Sequence, residues 1–512
     1  MESLLSPVSL LLFCAGLFFF IRVASEWFAG FKARGWSPPL PPGPRGLPII
    51  GSIHRLAVGG LPHHTLAGLA RRHGPLMLLR LGQVDVAVAS SREAAEDVLK
   101  THDLNFAFRP MLALSMLLEH GLGFSPYDSH YRHLRKVAAV ELFSIRRVRS
   151  FTAVREEQVR NMINNIKTAA LSRAPVKLRE ELMLLSNSIV SVAAVGRRCR
   201  HEGKLVKLTK EAARLASGFA MADLFPSLKF VDVLTGMRSK LEGMRRELQE
   251  ILDKVIRDKE MCKGNGGDED ATKQEEDILD VLLRLKDDNN QEFPITLSNV
   301  KVVILELFIA GTETSSTIIE WAMSELIRNP KIMEKAQSEI REALEGKPNV
   351  EEADLGQLSY LRLVIKEAFR LHPPGPLLVP RVAQETCQVI GYTIPAGTRM
   401  LINAWALGRD PQYWAEAERF KPERFEDSSV DLKGANFEFL PFGSGRRMCP
   451  GMVFGLANVE LALAQLLFHF DWSLPGGMKP QDLDMTEAFG AAASRKSELV
   501  LLATPHFPAN IC

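Results

Sequence analysis

The chain has 512 residues, 46% of them hydrophobic and 24% charged, so it is long enough to bury a large core. Its 63 basic and 61 acidic residues give a net charge of +2, which excludes the electrostatic footprint of a nucleic-acid-binding protein. We therefore expect no nucleic acid partner. The six cysteines are scattered and include no Cys-x-x-Cys pair, a distribution typical of a chain kept in a reducing compartment.

The first segment contains no charge from Ser3 to Ile21. About 19 helical residues reach roughly 28 Å, close to the thickness of a bilayer core. Because basic residues follow this segment rather than precede it, residues 1–24 are predicted to be an uncleaved membrane anchor with the rest of the chain in the cytosol. A cleaved signal peptide is the alternative. Residues 25–48 form a basic, proline-rich hinge, and a single domain is expected over 49–512.

Downstream of the hinge, period-2 patterns predict short strands and longer apolar periodicities predict helices. The helices dominate, so the predicted class is mainly α with small β-sheets, and no internal repeat is found. The charged, glycine-containing run Lys263 to Glu276 is predicted to be a surface loop. The predicted strands are Leu76–Leu81, Val84–Ala89, Gln388–Thr393 paired with Arg399–Asn403, and Leu499–Ala503; the predicted helices are Ser91–Lys100, Val154–Thr168, Arg238–Lys259, Leu297–Arg328, Lys331–Leu344, Leu358–Leu371 and Val453–Phe468.

The stretch Phe442-Gly-Ser-Gly-Arg-Arg-Met-Cys-Pro-Gly451 places Cys449 directly before the last of these helices. A helix N-terminus lowers the pKa of a thiol, and Pro450 suits the first helical position. Glycines such as Gly443 let the backbone approach a flat ligand, and Arg447 can pair with a carboxylate on that ligand. One thiolate with no Cys or His ligand nearby favours haem iron over zinc.

This stretch resembles the Phe-x-x-Gly-x-Arg-x-Cys-x-Gly signature of the cytochrome P450 superfamily at every fixed position. With the Pro-Pro-Gly-Pro hinge, the resemblance extends over nearly the whole chain and is greatest to plant microsomal members. It implies the P450 fold and a haem b held by Cys449, with Phe442 and Gly443 in the cofactor loop. It also implies insertion of one oxygen atom from O2 into a substrate, electrons from NADPH through a separate reductase, and single-pass anchoring in the endoplasmic reticulum membrane.

The long predicted helix contains Ala310-Gly-Thr-Glu-Thr-Ser315, where a threonine hydroxyl can bond to the carbonyl four residues earlier and loosen the helix. An acid beside a hydroxyl can relay protons to dioxygen. The run is similar to the family's oxygen-activation motif, which implies Thr314 as the hydroxyl and Glu313 as the acid. Close helix packing is the simpler interpretation of the run taken alone.

Glu367 and Arg370 stand three residues apart and share a helix face. They match the family's Glu-x-x-Arg element, and Pro422-Glu-Arg-Phe425 matches its partner. The resemblance implies that Arg424 completes a buried structural triad, whereas an exposed ion pair is the simpler interpretation of the spacing alone.

Tyr131-Arg-His-Leu-Arg135 stands at the place of the family's Trp-Arg-x-x-Arg, with tyrosine replacing tryptophan. The resemblance implies that Tyr131 and Arg132 hold a haem propionate, and that Arg381 is another propionate ligand. Arg135 and Lys136, with Arg446, are a candidate docking surface for an acidic reductase.

Family position also predicts a mostly apolar pocket, which suggests a lipophilic substrate. Asp223 and Glu306 are its polar exceptions, expected to cap or pair with a neighbouring helix. A terpenoid or diterpenoid is the preferred substrate, with a phenylpropanoid, flavonoid or amino-acid-derived compound as alternatives. A haem-thiolate isomerase or dehydratase and a haem-binding sensor are rival functions. The pocket residues are Phe219, Leu305, Phe308, Ala310, Leu378 and Phe489.

Overall fold

The computed structural model describes residues 38–112, 115–196, 221–228, 236–264, 276–288, 293–488 and 492–506, with the single residues 204, 207, 208, 211 and 490. Among them helices dominate, and the strands form three small sheets, which confirms the predicted class. The predicted anchor and most of the predicted 263–276 loop lie outside the described residues.

The helices vary from single turns to one that runs through the middle of the core. They are α1 (Ile53–Val58), α2 (Pro62–His73), α3 (Arg92–Glu96), α4 (Ser115–Leu118), α5 (Ser129–Val137), α6 (Ile145–Ser150), α7 (Thr152–Leu171), α8 (Leu178–Val195), α9 (Met221–Leu224), α10 (Met237–Gly264), α11 (Ile278–Asp287), α12 (Leu297–Arg328), α13 (Pro330–Ala343), α14 (Ser359–Leu371), α15 (Ala404–Leu407) and α16 (Met452–His469). Both α3 and α5 continue into a wider π-helical turn, at Asp97–Thr101 and Ala138–Leu142.

The strands are β1 (Leu76–Leu81), β2 (Val84–Ala89), β3 (Val176–Lys177), β4 (Arg381–Val382), β5 (Cys387–Val389), β6 (Tyr392–Ile394), β7 (Arg399–Ile402), β8 (Phe470–Ser473) and β9 (Val500–Pro505). The largest sheet has the order β1-β2-β7-β4, in which β2 and β7 are parallel and the other pairs antiparallel. A second sheet has the order β3-β9-β8, and β5 and β6 form a separate hairpin.

Helix α12 is the central element of the main core. Its bounds agree with the prediction, because Thr296 and Asn299 cap its start reciprocally and Pro330 begins the next helix at its end. It packs on α8, α11, α14 and α16. Both α12 and α16 are long and apolar enough to cross a membrane, but 56% and 67% of their apolar windows are buried in the domain. They are therefore core helices.

One predicted strand pairing is wrong. The segment Gln388–Thr393 does not pair as one strand with the segment starting at Arg399, because it turns back at Ile390-Gly391, where both residues have a positive φ. It forms the β5–β6 hairpin, while β7 pairs with β2 and β4.

The proline-rich segment is docked on the domain as well as linking it to the N-terminus. Leu78 N–H donates to the Pro42 carbonyl at 3.0 Å, and Thr393 N–H donates to that of Pro39 at 2.9 Å. A Cβ at Gly43 would overlap the Leu78 carbonyl, so this contact requires glycine. The folded unit therefore begins before residue 49 among the described residues.

Candidate functional site

The loop that carries Cys449 is shaped by backbone hydrogen bonds. Cys449 N–H donates to the Phe442 carbonyl at 3.0 Å, closing the segment into a tight loop. Gly443 and Gly445 have φ values of 71° and 69°, which favour glycine. Phe442 packs on Phe369, with 5.0 Å between ring centroids. The loop therefore holds the sulfur in one position.

The helix after this loop begins one residue before the predicted Val453, but Pro450 is not its first residue. Gly451 is the cap of α16 and Met452 its first residue, so Pro450 lies in the preceding turn. Burial raises the pKa of the Cys449 thiol, although the Gly451 N–H and Arg135 act in the opposite direction. The predicted lowering of this pKa is therefore wrong, because loss of water around the sulfur outweighs the helix terminus.

The surroundings of Cys449 combine burial with accessibility. Protein surrounds its sulfur, which explains the raised pKa, yet the residue keeps accessible surface. On α12, Ala310 and Thr314 are exposed one turn apart, although most residues of this core helix are buried. A Cβ at Gly455 in α16 would lie 3.9 Å from the Ser315 hydroxyl, so α16 crosses α12 beside these residues.

The oxygen-activation run has the predicted local geometry. Thr314 Oγ1 donates to the Ala310 carbonyl at 2.5 Å, the four-residue back-bond expected from the sequence. Gly311, the next residue along the helix, lies beside α8, where a Cβ would come within 2.8 Å of Val190 Cγ2. Close helix packing and a polar face of α12 therefore coexist at adjacent residues.

Four arginines converge near the loop, and Arg109 was missed by the sequence analysis. Burial, and then repulsion by Arg381, Arg447 and Arg135, lowers the pKa of Arg109 well below its ordinary value. Burial also lowers the pKa of Arg381 to about 10 and lowers that of Arg447. Asp103 pairs with Arg381 at 3.4 Å. A ligand with two carboxylates would relieve the remaining repulsion.

Of the two propionate ligands predicted on α5, one is buried and the other is exposed. Tyr131 is buried, its ring lies 3.8 Å from the Arg447 guanidinium carbon, and its hydroxyl has no hydrogen-bond partner of normal geometry among the described residues. Arg135, one turn later, donates to the Met448 carbonyl. Arg132 is instead exposed, on the same face as Lys136. The structure thus places Arg135, rather than Arg132, beside the cysteine loop, a choice that the four-residue helical spacing could have indicated.

These residues fit a haem. Cys449 is accessible although protein surrounds its sulfur, a cluster of guanidiniums lies beside it, and the Tyr131 hydroxyl is buried without a hydrogen-bond partner of normal geometry among the described residues. The donor set is therefore one sulfur for iron and several cations for the propionates.

The predicted structural triad is present. Glu367 has no exposed side-chain surface; Arg370 binds it through two hydrogen bonds of 2.7 and 2.8 Å, and Arg424 through one of 2.9 Å. The carboxylate also accepts from the Lys421 N–H at 2.7 Å. Arg370 further donates to the carbonyls of Gly408 and Ala417. The triad therefore joins α14 to the segment that leads to the cysteine loop.

Only some of the predicted pocket residues are among the described residues. Leu305 and Phe308 are buried in the main core on α12, and Leu378 approaches Gly443, where a Cβ would lie 3.7 Å from its Cδ1. Phe219 and Phe489 lie outside the described residues. Leu224 and Phe225, near the predicted Asp223, pack against the β1–β2 turn at Gly82 rather than against Leu305. The Asp223 carbonyl accepts from Arg399 at 2.6 Å.

A cavity of about 470 Å³ lies elsewhere, beside a histidine cluster, and contains none of the predicted site residues. His63 Nε2 and His64 Nε2 lie 2.6 and 3.1 Å from the same oxygen of Glu487, and His372 Nδ1 lies 3.7 Å from the other. Although the side chains could hold a metal ion by composition, a shared carboxylate acceptor accounts for these distances.

Comparison with known proteins gives one consistent result. The family model described as cytochrome P450 matches residues 41–500. Premnaspirodiene oxygenase of Hyoscyamus muticus is 47% identical over 508 residues, covering 99% of each chain. Desmethyl-deoxy-podophyllotoxin synthase of Sinopodophyllum hexandrum is 46% identical over 508 residues, covering 98% of each.

The solved structures agree at the level of the fold. A zebra fish cytochrome P450 with abiraterone has a TM-score of 0.72 to this chain at 23% identity, covering 87% of this chain and 99% of that one.

Proposed function

Because the chain belongs to the cytochrome P450 family and is a monooxygenase, we propose that it inserts one oxygen atom from O2 into a lipophilic plant specialised metabolite, with a terpenoid as the preferred substrate. The family implies a haem-thiolate cofactor, a redox partner and a lipophilic substrate. The observation that carries the proposal is that Cys449 is accessible although protein surrounds its sulfur, while Ala310 and Thr314 are exposed on α12, a helix most of whose residues are buried.

The residues of the site have different roles in the proposed reaction. Cys449 supplies the sulfur ligand, while Arg109, Arg135, Arg381 and Arg447 supply positive charge for the propionates. The bound haem supplies the iron chemistry that activates dioxygen. Thr314 presents a hydroxyl whose proton already bonds to the Ala310 carbonyl, and Glu313 is the adjacent acid. We assign these two residues to proton delivery.

The substrate class is supported by relatives and by the lining. Premnaspirodiene oxygenase and the melianol synthase of Ailanthus altissima, 45% identical over 505 residues, carry terpenoid-related names. The described pocket residues Leu305, Phe308, Ala310 and Leu378 are apolar, which suits a hydrocarbon surface. The relative named desmethyl-deoxy-podophyllotoxin synthase favours a phenylpropanoid-type compound as the second candidate.

We propose an NADPH-dependent flavoprotein reductase as the electron donor. Arg132 and Lys136 are exposed on α5, the helix whose Arg135 contacts the cysteine loop, and Arg446 is exposed in the loop itself. These three side chains would attract an acidic surface. Arg135, predicted to join them, is turned inward. The uncharged residues 3–21 would anchor the protein in the endoplasmic reticulum membrane with the domain in the cytosol.

The experiment uses microsomes that contain the full chain and a plant reductase. They are given neutral terpenes, diterpene alcohols, phenylpropanoids and amino-acid-derived compounds under isotopically labelled O2. We expect a terpenoid product that carries one labelled oxygen atom and requires NADPH. A product formed without NADPH or O2 would indicate an isomerase or dehydratase, and label in a phenylpropanoid alone would favour the second candidate.

A further inference from the structure

Glu306 is a half-buried acid in helix α12 to which the proposed oxygen chemistry assigns no role. It lies one turn before Ala310 and therefore near the same face of the helix. Its carboxylate accepts two backbone hydrogen bonds from one loop, from Leu122 N–H at 2.6 Å and from Gly123 N–H at 2.8 Å. Each oxygen thus has its own donor.

A second side chain of the same helix holds the same loop. Asn299 stands seven residues before Glu306, which places both on one face two turns apart. Its Nδ2 donates to the His120 carbonyl at 2.8 Å. His120 itself has a φ of 75°, a conformation that an ordinary residue adopts only when its surroundings hold it. Residues 120–123 are therefore fixed to α12 at two points.

The other side of the loop faces the arginines of the haem site. Arg109 Nε donates to the Gly123 carbonyl at 3.0 Å, and Arg447 donates to that of Ser125 at 2.5 Å. The Leu122 and Gly123 N–H groups thus point to a carboxylate, and the Gly123 and Ser125 carbonyls point to guanidiniums. Leu122 packs in the same apolar cluster as Leu305 and Phe308. The loop consequently spans from the cysteine side to the apolar wall formed by α12.

The fit around the carboxylate is tight. A Cβ at Gly121 would lie within 2.6 Å of both carboxylate oxygens, although the φ of Gly121 is not positive and permits alanine. Burial raises the pKa of Glu306 to about 7, while the two N–H bonds and Arg447 oppose this rise. The carboxylate is therefore held by the loop.

We propose that Glu306 is a positioning residue that fastens residues 120–123 to α12 as one wall of the substrate cavity. Its carboxylate is occupied by the loop and does not bind a cationic substrate. This inference rests on the proposed function for the cavity's role and deepens it, since a site whose acid is occupied by backbone amides selects a neutral molecule. Loss of the contact would release the loop and widen the cavity without removing sulfur, haem-binding arginines or Thr314.

The test uses the haem-loaded full chain and four variants. Glu306→Gln removes one acceptor and places an amide N–H against a loop N–H. Gly121→Ala displaces the carboxylate from the loop side. Their combination completes a double-mutant cycle. Glu320→Gln is the matched control, because Glu320 is a buried carboxylate of the same helix that binds Arg179 at 3.0 Å and the Leu499 N–H at 3.4 Å, remote from the loop.

The first readout is hydrogen exchange of peptides spanning 115–125. We expect at least a tenfold faster exchange there in Glu306→Gln and in Gly121→Ala, little further increase in the double variant, and none in Glu320→Gln. The second readout is the rate of carbon monoxide recombination after photolysis, which we expect to rise in the same variants. Unchanged exchange in Glu306→Gln, or an equal change in Glu320→Gln, would overturn the proposal.

The third readout compares two haem-binding probes of similar size, a neutral phenylimidazole and one carrying an alkylamine. Glu306→Gln should change the affinity for both by the same factor. A loss of affinity confined to the amine probe would overturn the proposal, because it would show that the carboxylate binds cations. None of these readouts needs the physiological substrate, so they stand or fall independently of the terpenoid assignment.

Discussion

Glu367 is the centre of a buried ionic network. Its carboxylate, without exposed side-chain surface, is shared by two guanidiniums and one backbone N–H. Removing one partner of a buried ionic network leaves the other charges desolvated and unpaired. The resulting loss of stability exceeds the net stabilisation that the intact network provides. The triad therefore connects α14 to the segment that carries Arg424.

We predict that Glu367→Gln lowers the free energy of unfolding by about 3 to 5 kcal/mol and reduces haem content. Urea denaturation and haem absorbance per chain measure the two effects. Glu96→Gln, which removes the exposed carboxylate paired with Lys100 at 2.7 Å, is the control and should cost less than about 1 kcal/mol. Full haem loading of Glu367→Gln with unchanged stability would refute the role of the triad.

The sequence predicted those side chains whose spacing carries the information. Cys449, Thr314 and the Glu367–Arg370 pair were predicted because each belongs to a fixed local pattern. Arg109 was missed since it approaches the site only through tertiary packing, and the thiol pKa was predicted in the wrong direction because burial cannot be seen in a motif. Glu306 was recognised as an exception, but its loop partners required the structure.

At the scale of elements, the crossing of α12 and α8 depends on Gly311. A Cβ there would come within 2.8 Å of Val190 Cγ2, closer than side chains pack. The two helices are therefore held near each other beside the Thr314 back-bond.

We predict that Gly311→Ala destabilises the protein by about 1 to 3 kcal/mol through overpacking, and that adding Val190→Ala restores at least half of the loss. Gly455→Ala is the control, since its Cβ would meet the Ser315 hydroxyl at an ordinary 3.9 Å. Urea denaturation of all four variants gives the interaction energy. Simple additivity of Gly311→Ala and Val190→Ala would show that this contact does not limit the helix crossing.

Element bounds were predictable where the sequence marks both ends. The capping pair Thr296–Asn299 and Pro330 fixed α12, and Gly82 divided the first hairpin. The Gln388–Thr393 segment failed because Ile390 adopts a positive φ, which an isoleucine does not signal. Strand partners such as β2 and β7 are more than 300 residues apart, a pairing that only the fold determines.

At the scale of the whole molecule, buried titratable groups make stability depend on pH. Burial, with a smaller contribution from Lys167, lowers the pKa of His469 from 6.5 to about 4. The unfolded chain takes up a proton below pH 6.5 that the folded chain does not accept until about pH 4. The folded state therefore loses stability as the pH falls through this window.

We predict that His469→Phe removes the titrating side chain, which lies beside Phe468 and Phe470. The decrease in the free energy of unfolding between pH 6.5 and pH 5 should then be smaller by about 1 to 2 kcal/mol. Urea midpoints of the wild type and the variant at several pH values measure this difference. Parallel curves for the two proteins would contradict the assigned pKa.

The central claim is that Cys449 binds haem iron through sulfur, and the absorbance spectrum of the ferrous, carbon-monoxide-treated protein tests it most directly. We predict the red-shifted Soret band of sulfur ligation in the wild type and in Cys387→Ser, which removes the other described free cysteine. Cys449→Ser should lose this band. A haem-loaded wild type without the band, or a Cys449→Ser variant that retains it, would contradict the account.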